Sequence, residues 1–136
     1  MSSVQSIAVS GMLAASQRLQ VSANNVANMR SDGALPDAQG NYAPGAPRAY
    51  TPQRVDQVDV AGGGTRAIAS DVSPSYVASY DPSAPYANQD GMVAAPNVDL
   101  ADEVVQQLMA TYAYAANARV VTSYNQMVKS LFDAKA

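Results

Sequence analysis

Residues 96–132 read PNVDLADEVVQQLMATYAYAANARVVTSYNQMVKSLF. Apolar and small side chains recur along this stretch at steps of three or four residues, the spacing that places side chains on one face of an α-helix. Pro96 precedes the pattern, and either Asn97 or Asp99 can cap the first turn. We therefore predict a helix over residues 99–132. Its apolar stripe consists of Val105, Met109, Tyr112, Ala116, Val120, Tyr124, Met127 and Leu131.

The first thirty residues predict a second long helix. Met12, Leu19 and Val26 repeat every seven residues, which is a coiled-coil spacing. A second set with the same spacing is offset from the first by three or four residues and is mostly small: Ala8, Ala15, Ser22 and Met29. We predict a helix over residues 3–28 that is ended by the Ser-Asp-Gly sequence at residues 31–33.

The middle of the chain predicts an insertion rich in strands and loops. All eight Pro and seven of the eight Gly lie between residues 33 and 96, so neither helix can continue through it. Residues 55–72, with a Gly triplet at their centre, predict a β-hairpin. We expect ordered loops or short strands packed by Tyr rings over residues 34–52 and 73–96, with disorder an alternative for residues 34–52.

Together these patterns predict an α+β fold. Its units are an N-terminal helix within residues 1–30, the insertion over residues 31–97 and a C-terminal helix within residues 98–136. We expect the two helices to pack antiparallel as a coiled-coil-like pair. The chain is short, and its apolar residues are rich in Ala with a single Phe, so the core is expected to be thin or completed by partners.

Composition excludes several functional classes. The 136 residues contain no His and no Cys, which excludes Ser-His and Cys-His nucleophile pairs, imidazole or thiolate metal sites and disulfides. The net charge of −3 and the scattered Arg and Lys residues argue against nucleic acid and anionic membranes as partners. Ser and Gln interrupt the uncharged N-terminus, so we expect neither a cleavable signal peptide nor a membrane span.

Two further motifs resemble ligand sites but are not interpreted as such. Asp81, Asp90, Asp99 and Asp102 lack the alternate-residue spacing of a calcium loop, and a solvated surface explains them better. The Gly triplet at residues 62–64 lacks the Lys and Ser or Thr of a phosphate-binding loop and is interpreted as a turn. We expect no metal, no cofactor, no small-molecule ligand and no enzymatic activity.

Charge is distributed unevenly along the chain. One charged residue lies in residues 1–29, fourteen in 30–103, one in 104–128 and three in the remaining tail. Helices exposed to water carry charges on their outer face, and these two do not. Three environments would suit them: lipid, other subunits or a narrow neutral conduit. Frequent Ser, Gln and Asn side chains argue against lipid, so we expect burial by other subunits with the charged insertion facing outward.

The chain resembles bacterial flagellar proteins in two places. Residues 10–14 (SGMLA), 18–19 (RL) and 23–28 (ANNVAN) are similar to the N-terminal signature of the axial proteins, namely the rod, hook and hook-associated proteins. A narrower match runs from residue 80 to the motif Pro96-Asn97-Val98-Asp99 and continues with Glu103, Tyr114 and residues 116–117. It resembles flagellar basal-body rod proteins of the proximal rod, the FlgC family. The likeness is weak over residues 34–73, and Met92 and Tyr112 depart from the family pattern.

The resemblance implies a structural, non-enzymatic subunit of the flagellar basal body that serves motility. Such a subunit polymerises with copies of itself and other rod proteins into the periplasmic drive shaft between rotor and hook. It is exported by the flagellar type III apparatus without a cleaved signal peptide. The alternatives are another flagellar axial subunit or a secreted non-enzymatic binding module that uses the Tyr-rich insertion. The predicted assembly interface comprises the C-terminal stripe together with Ala8, Met12, Ala15, Leu19, Asn24, Asn25, Val26 and Asn28.

Overall fold

A computed structural model describes residues 3–135. It contains two helices and four strands, which confirms the predicted α+β fold. The elements in chain order are α1 (Ser3–Ala27), β1 (Gln53–Asp59), β2 (Thr65–Asp71), β3 (Tyr76–Tyr80), β4 (Met92–Pro96) and α2 (Leu100–Asp133). The strands form two separate antiparallel pairs, β1 with β2 and β3 with β4. Neither helix of the described chain is both long and apolar enough to cross a membrane.

Both helices lie where their sequence patterns predict them. Asp99 caps α2, its side chain accepting hydrogen bonds from the backbone N–H groups of Ala101 and Asp102. The predicted role of Gly33 in ending α1 is wrong. Residues 28–30 form the closing turn, and Gly33 instead pairs with Ala94 in an isolated β-bridge. Gly33 therefore contributes to the second sheet and not to the helix end.

The predicted hairpin is present as β1 and β2. Their register runs from Gln53 opposite Asp71 to Asp59 opposite Thr65. The connecting turn includes the Gly triplet at residues 62–64, each with φ between +95° and +97°. Only Gly adopts this region readily, which is why the turn requires three of them.

Residues 34–52 contain no strand or helix but are held in place by hydrogen bonds. The backbone N–H of Ala34 donates to Pro47, and that of Tyr50 donates to Ser31. At the tip of this segment, backbone N–H groups of Asn41 and Gln39 donate to the Asp37 carboxylate and hold the pKa of Asp37 below its usual value. The segment is therefore an ordered loop, the first of the two predicted alternatives.

The prediction that Tyr rings pack the insertion is only partly correct. Tyr42 lies under the Arg48 guanidinium, 4.7 Å from the ring centroid, but the Tyr80 side chain is 70% exposed. Gly91 lies against one edge of the Tyr80 ring, and of the described helices and strands β3 contacts only β4, so most of the ring stays uncovered.

The two helices pack antiparallel. The Gln5 amide near the start of α1 donates to Asn125 near the end of α2, and the Ser22 hydroxyl donates to the backbone carbonyl of Glu103. The core is as thin as the composition predicts. Its buried apolar residues are Ala8, Ala14, Ala15, Ala34, Val93, Ala94 and Ala110.

Gly33 offers a direct test of how the loop is attached. A Cβ at this position would meet the backbone of Arg48 and Ala49, so Gly33→Ala is expected to push the loop away and to cost about 1–3 kcal/mol of unfolding free energy. Hydrogen exchange of the Ala34 and Tyr50 amides should accelerate as their hydrogen bonds are lost.

The matched control is Gly40→Ala at the loop tip, where an added Cβ meets no atom within 4 Å. This change incurs only the cost of a side chain at φ +83°, about 1–2 kcal/mol. Exchange at Ala34 and Tyr50 should stay slow in the control. Equal exchange rates in the two variants would contradict the attachment through Gly33.

Candidate assembly surface

The first half of the apolar stripe of α2 faces away from α1. Val105, Met109 and Tyr112 are 51%, 52% and 73% exposed, whereas Ala110, which faces α1, is 1% exposed. A shift of two residues along a helix turns a side chain by roughly 200°. The large apolar residues and the contact with α1 therefore occupy opposite sides of the same helix.

In the second half of α2 the stripe turns toward α1. Val120, Met127 and Leu131 are exposed, as is Ala116, while Tyr124 is half-buried. A shallow groove of about 410 Å³ near the start of α1 is lined by Val4, Arg119, Val120, Ser123, Tyr124 and Met127. The described chain leaves seven of the eight stripe residues largely uncovered.

The α1 residues of the predicted interface divide into two groups. Ala8, Ala15 and Asn25 are buried within the chain, so the structure removes them from any surface open to a partner. The others remain accessible to different degrees. Leu19 and Asn24 are exposed, and Met12, Val26 and Asn28 are half-buried.

Small side chains explain why the helices meet on this side. At Gly11 an added Cβ would lie 2.7 Å from the amide oxygen and nitrogen of Asn117. Ala8, Ala15 and Ser22 lie on the same side of α1, at the heptad spacing noted in the sequence. Small residues let the two backbones approach closely, and larger apolar side chains must then point elsewhere.

Asn25 joins three parts of the chain and is 2% exposed. Its amide nitrogen donates to the Gln53 carbonyl at 2.7 Å and to the Glu103 carboxylate at 2.6 Å. Its amide oxygen accepts from the Tyr50 hydroxyl at 3.0 Å and from the Gln53 N–H at 3.1 Å. All four hydrogen-bonding positions of the amide are therefore used. We call Asn25, Tyr50, Gln53 and Glu103 the polar junction.

The polar junction raises the pKa of the Tyr50 hydroxyl above its usual value. Burial is the largest cause, and the negative charges of Glu103 and Asp71 add to it. Each cause disfavours the phenolate. Tyr50 is therefore held as a neutral hydrogen-bond donor to Asn25.

Helix α1 also holds both outer edges of the hairpin. Asn25 binds the N–H and C=O of Gln53 at the edge of β1, and the Ser10 hydroxyl accepts from the N–H of Thr65 at the edge of β2. Ser10 in turn donates to the Ile7 carbonyl. These contacts satisfy edge groups of the hairpin and set its position along α1.

Asn24 and Asn28 serve the end of α1, since the Asn28 amide donates to the Asn24 carbonyl. The motif at residues 96–99 connects the second sheet to α2. Pro96 is buried at the end of β4, and the Asn97 amide donates to the Pro74 carbonyl. Val98 is half-buried and precedes the cap at Asp99.

The polar junction was not predicted as a unit. The sequence patterns single out Asn25 and include Tyr50 only among the Tyr rings expected to pack residues 34–52, and they indicate no contact of Gln53 or Glu103 with Asn25. These residues are separated by 25 to 78 positions along the chain. No local spacing signals such a contact.

The four Asp residues considered as oxygen ligands lie in separate local structures. Asp81 accepts from Ser83, and Asp99 caps α2. Within residues 3–135 no three His, Cys, Asp or Glu residues are placed to hold a metal ion.

Replacing Asn25 with Asp tests the polar junction. Asn25→Asp keeps both acceptor contacts but places a carboxylate against Glu103 and the Gln53 carbonyl. We expect a loss of about 2–4 kcal/mol of unfolding free energy at pH 7, because a buried donor is replaced by a like charge. Urea titration measures the loss, which should shrink as the pH is lowered and one carboxylate is protonated.

Two further variants control this measurement. Asn24→Asp makes the same change at an exposed neighbouring site and should cost less than about 1 kcal/mol. Adding Glu103→Gln to Asn25→Asp restores a donor opposite the new carboxylate and should recover part of the loss. The assigned hydrogen bonds would be contradicted if Asn24→Asp lost as much unfolding free energy as Asn25→Asp, or if the double variant recovered none of it.

The raised pKa of Tyr50 predicts how stability depends on pH. The ordinary tyrosine value is about 10, and a group whose folded pKa is higher contributes stability below that value and loses it as the pH rises through the folded pKa. We expect unfolding free energy to fall above pH 10. Tyr50→Phe, measured by urea titration from pH 8 to 11, should be less stable at pH 8 and decline less steeply. Parallel curves would show that Tyr50 does not cause the decline.

Comparison with known proteins identifies the family. Residues 89–134 match the model for the C-terminal region of the flagellar basal body rod FlgEFG proteins. The chain is similar to flagellar basal-body rod protein FlgC of Agrobacterium fabrum, with 31% identity covering 98% of this chain and 94% of that protein.

Two other relatives agree. FlgC of Salmonella typhimurium is 36% identical over 90% of this chain and 88% of its own length. FlgC of Yersinia enterocolitica is 37% identical over 92% of this chain and 91% of its own length. Because these similarities extend over nearly the whole of both sequences, the chain belongs to the family of the flagellar basal-body rod protein FlgC.

Proposed function

We propose that this chain is a structural subunit of the flagellar basal-body rod. In this proposal it polymerises with copies of itself and with other rod proteins into the periplasmic shaft that transmits torque to the hook. It reaches the periplasm through the flagellar type III export apparatus and keeps its N-terminus. The paired helices form the inner layer of the assembly, and the insertion over residues 31–97 lies outside them.

The observation that carries this proposal is the uncovered apolar face of α2. No charged residue occurs between Glu103 and Arg119, and the large side chains of this stretch are mostly exposed. They include Val104, Val105, Leu108, Met109 and Tyr112. A continuous apolar surface of this kind is characteristic of a protein interface. Neighbouring subunits in a rod would cover it.

Charge supports an inner and an outer layer. Residues 30–103 carry nine Asp, one Glu and four Arg, a sum of −6, whereas the two ends together carry +3. Charged residues are depleted at the centre of interfaces and common on wet surfaces. The neutral helices therefore suit an inner layer, and the acidic insertion suits the outside.

The thin core supports folding that depends on assembly. Apart from Val93, Pro52 and Pro96, every buried apolar side chain of the described residues is an Ala, and Ala contributes little burial energy compared with Leu or Val. The first half of α1 and the second half of α2 contact each other through small residues and through the Gln5–Asn125 hydrogen bond, so their contact buries little apolar surface. We propose that these ends fluctuate in the free subunit and become fixed when neighbours cover them.

The role is structural and not enzymatic. The proposal draws on the family, whose members are rod proteins by name, and on the absence of His and Cys from the sequence. Neither a Ser-His nor a Cys-His nucleophile pair can be built from this chain.

Val105→Asp tests the proposal. Val105 lies on the uncovered face of α2 and is half exposed, so the variant should keep the circular dichroism and melting temperature of the parent. In the rod, each copy would bury a charge in place of an apolar side chain worth about 1–3 kcal/mol. We expect secretion to continue while incorporation into purified basal bodies and motility are lost.

Val58→Asp in β1 is the matched control, since it makes the same change at an exposed position of the insertion. This variant should be incorporated and should support motility. Efficient incorporation of Val105→Asp would overturn the proposal that the α2 face is the assembly surface. Equal failure of both variants would show that the effect is not specific to that face.

A further inference from the structure

The outer edge of β3 is open. Within the described chain β3 contacts β4 and no other helix or strand. On the far side of β4, Ala94 exchanges both backbone hydrogen bonds with Gly33, so that edge is closed. The second sheet therefore has one covered edge and one free edge.

The free backbone groups can be assigned from the ladder. Flanking hydrogen bonds run from Asp81 N–H to Gly91 and from Asn97 N–H to Ser75. Hydrogen-bonded and non-hydrogen-bonded pairs alternate along an antiparallel ladder. Because Ser75 and Asp81 both belong to hydrogen-bonded pairs, the odd-numbered residues of β3 direct their N–H and C=O groups toward β4. The N–H and C=O groups of Tyr76, Ala78 and Tyr80 therefore point outward, and they have no hydrogen-bond partner within residues 3–135.

The hairpin edges are protected, and this edge is not. β1 and β2 carry Arg54, Asp56, Asp59, Arg66 and Asp71, and each outer edge is also bound by α1 at one residue, Gln53 or Thr65. Charged side chains are a common way to prevent edge-to-edge pairing. The sequence of β3, YVASY, contains no charge and no Pro, and four of its five residues are exposed.

We propose that β3 binds a second copy of this chain, pairing antiparallel with β3 of the partner subunit about a two-fold axis at Ala78. A second copy is the expected partner because the sequence of the strand, YVASY, reads nearly the same in either direction. Around Ala78, Tyr76 lies opposite Tyr80 of the partner subunit, and Val77 lies opposite Ser79 of the partner subunit. Ala78 lies opposite Ala78 of the partner subunit.

This register suits the exposed groups. The three residues whose backbone groups point outward all fall at hydrogen-bonded positions, so the N–H and C=O groups of each bond to the opposite residue of the partner subunit. The opposed Tyr rings form favourable cross-strand pairs, and no charges meet. Pro74 and Pro82 flank the strand and limit pairing to these five residues, because Pro cannot donate to a ladder.

The proposed contact is closed and small. A two-fold interface uses the same surface on both subunits and ends at a dimer, unlike the propagating contacts of the rod. Five residues a side bury less than the roughly 1,000 Å² expected of a stable interface, so the dimer should be weak and reversible. The contact is independent of the helix face proposed for assembly.

Ala78→Pro tests the pairing. It removes an outward N–H without breaking a bond to β4, and Pro is tolerated at such an edge position. In sedimentation velocity at increasing concentration, the parent should shift from monomer to dimer and Ala78→Pro should stay monomeric. Circular dichroism and melting of the variant should match the parent.

Ala69→Pro is the matched control, since Ala69 is exposed on β2 and its N–H also points away from β1. This variant should dimerise like the parent. A parent that remains monomeric, or a dimer that persists unchanged in Ala78→Pro, overturns the proposal. Persistence in Ala78→Pro together with loss in Val105→Asp would assign the self-association to the helices instead.

A covalent test uses the absence of native Cys. Opposed Cα atoms at a hydrogen-bonded pair lie about 5.5 Å apart, within the roughly 4.4–6.8 Å that a disulfide spans. Under mild oxidation Ala78→Cys should form a disulfide-linked dimer, and Ala69→Cys should remain largely monomeric. Equal yields from the two variants, or no dimer from Ala78→Cys, would contradict the register and the partner.

Discussion

The close approach of α1 and α2 is the constraint on which the rest of the molecule depends. Gly11 opposite Asn117 and the small residues beside it bring the two helices together. A seam of small side chains buries little apolar surface, so it provides proximity but little stability. The larger apolar residues of α2 are left on the opposite face. The same packing therefore explains a thin core and an exposed apolar surface.

Asn25 compensates for this weak seam with specific polar contacts. Burying an amide is unfavourable unless its hydrogen bonds are satisfied, and here all four positions are used. One side chain thereby ties α1 to the start of β1, to the loop before it and to the first turn of α2. The insertion is thereby connected to the C-terminal end of α1 and to the N-terminal end of α2, and Ser10 adds a second attachment near the start of α1.

Much of this structure follows from local pattern. The three- to four-residue spacing through residues 99–132, the heptads of residues 8–29 and the Gly triplet predict both helices and the hairpin, because these signals concern neighbours along the chain. The pairing of β3 with β4 and the bridge from Gly33 to Ala94 were not predicted. Pro-rich segments carry little periodicity, and Gly33 has the sequence context of a helix end.

The sequence by itself determined the fold class, the helix and hairpin positions, the apolar stripe of α2 and the family resemblance. Only the tertiary structure decided that the first half of the stripe faces away from α1, that Ala8, Ala15 and Asn25 are covered within one chain, and that β3 keeps a free edge. Helical periodicity depends on the local rise and turn of the backbone. Which face meets a neighbour depends on the fit between segments as many as 120 residues apart, and here the small residues fit best.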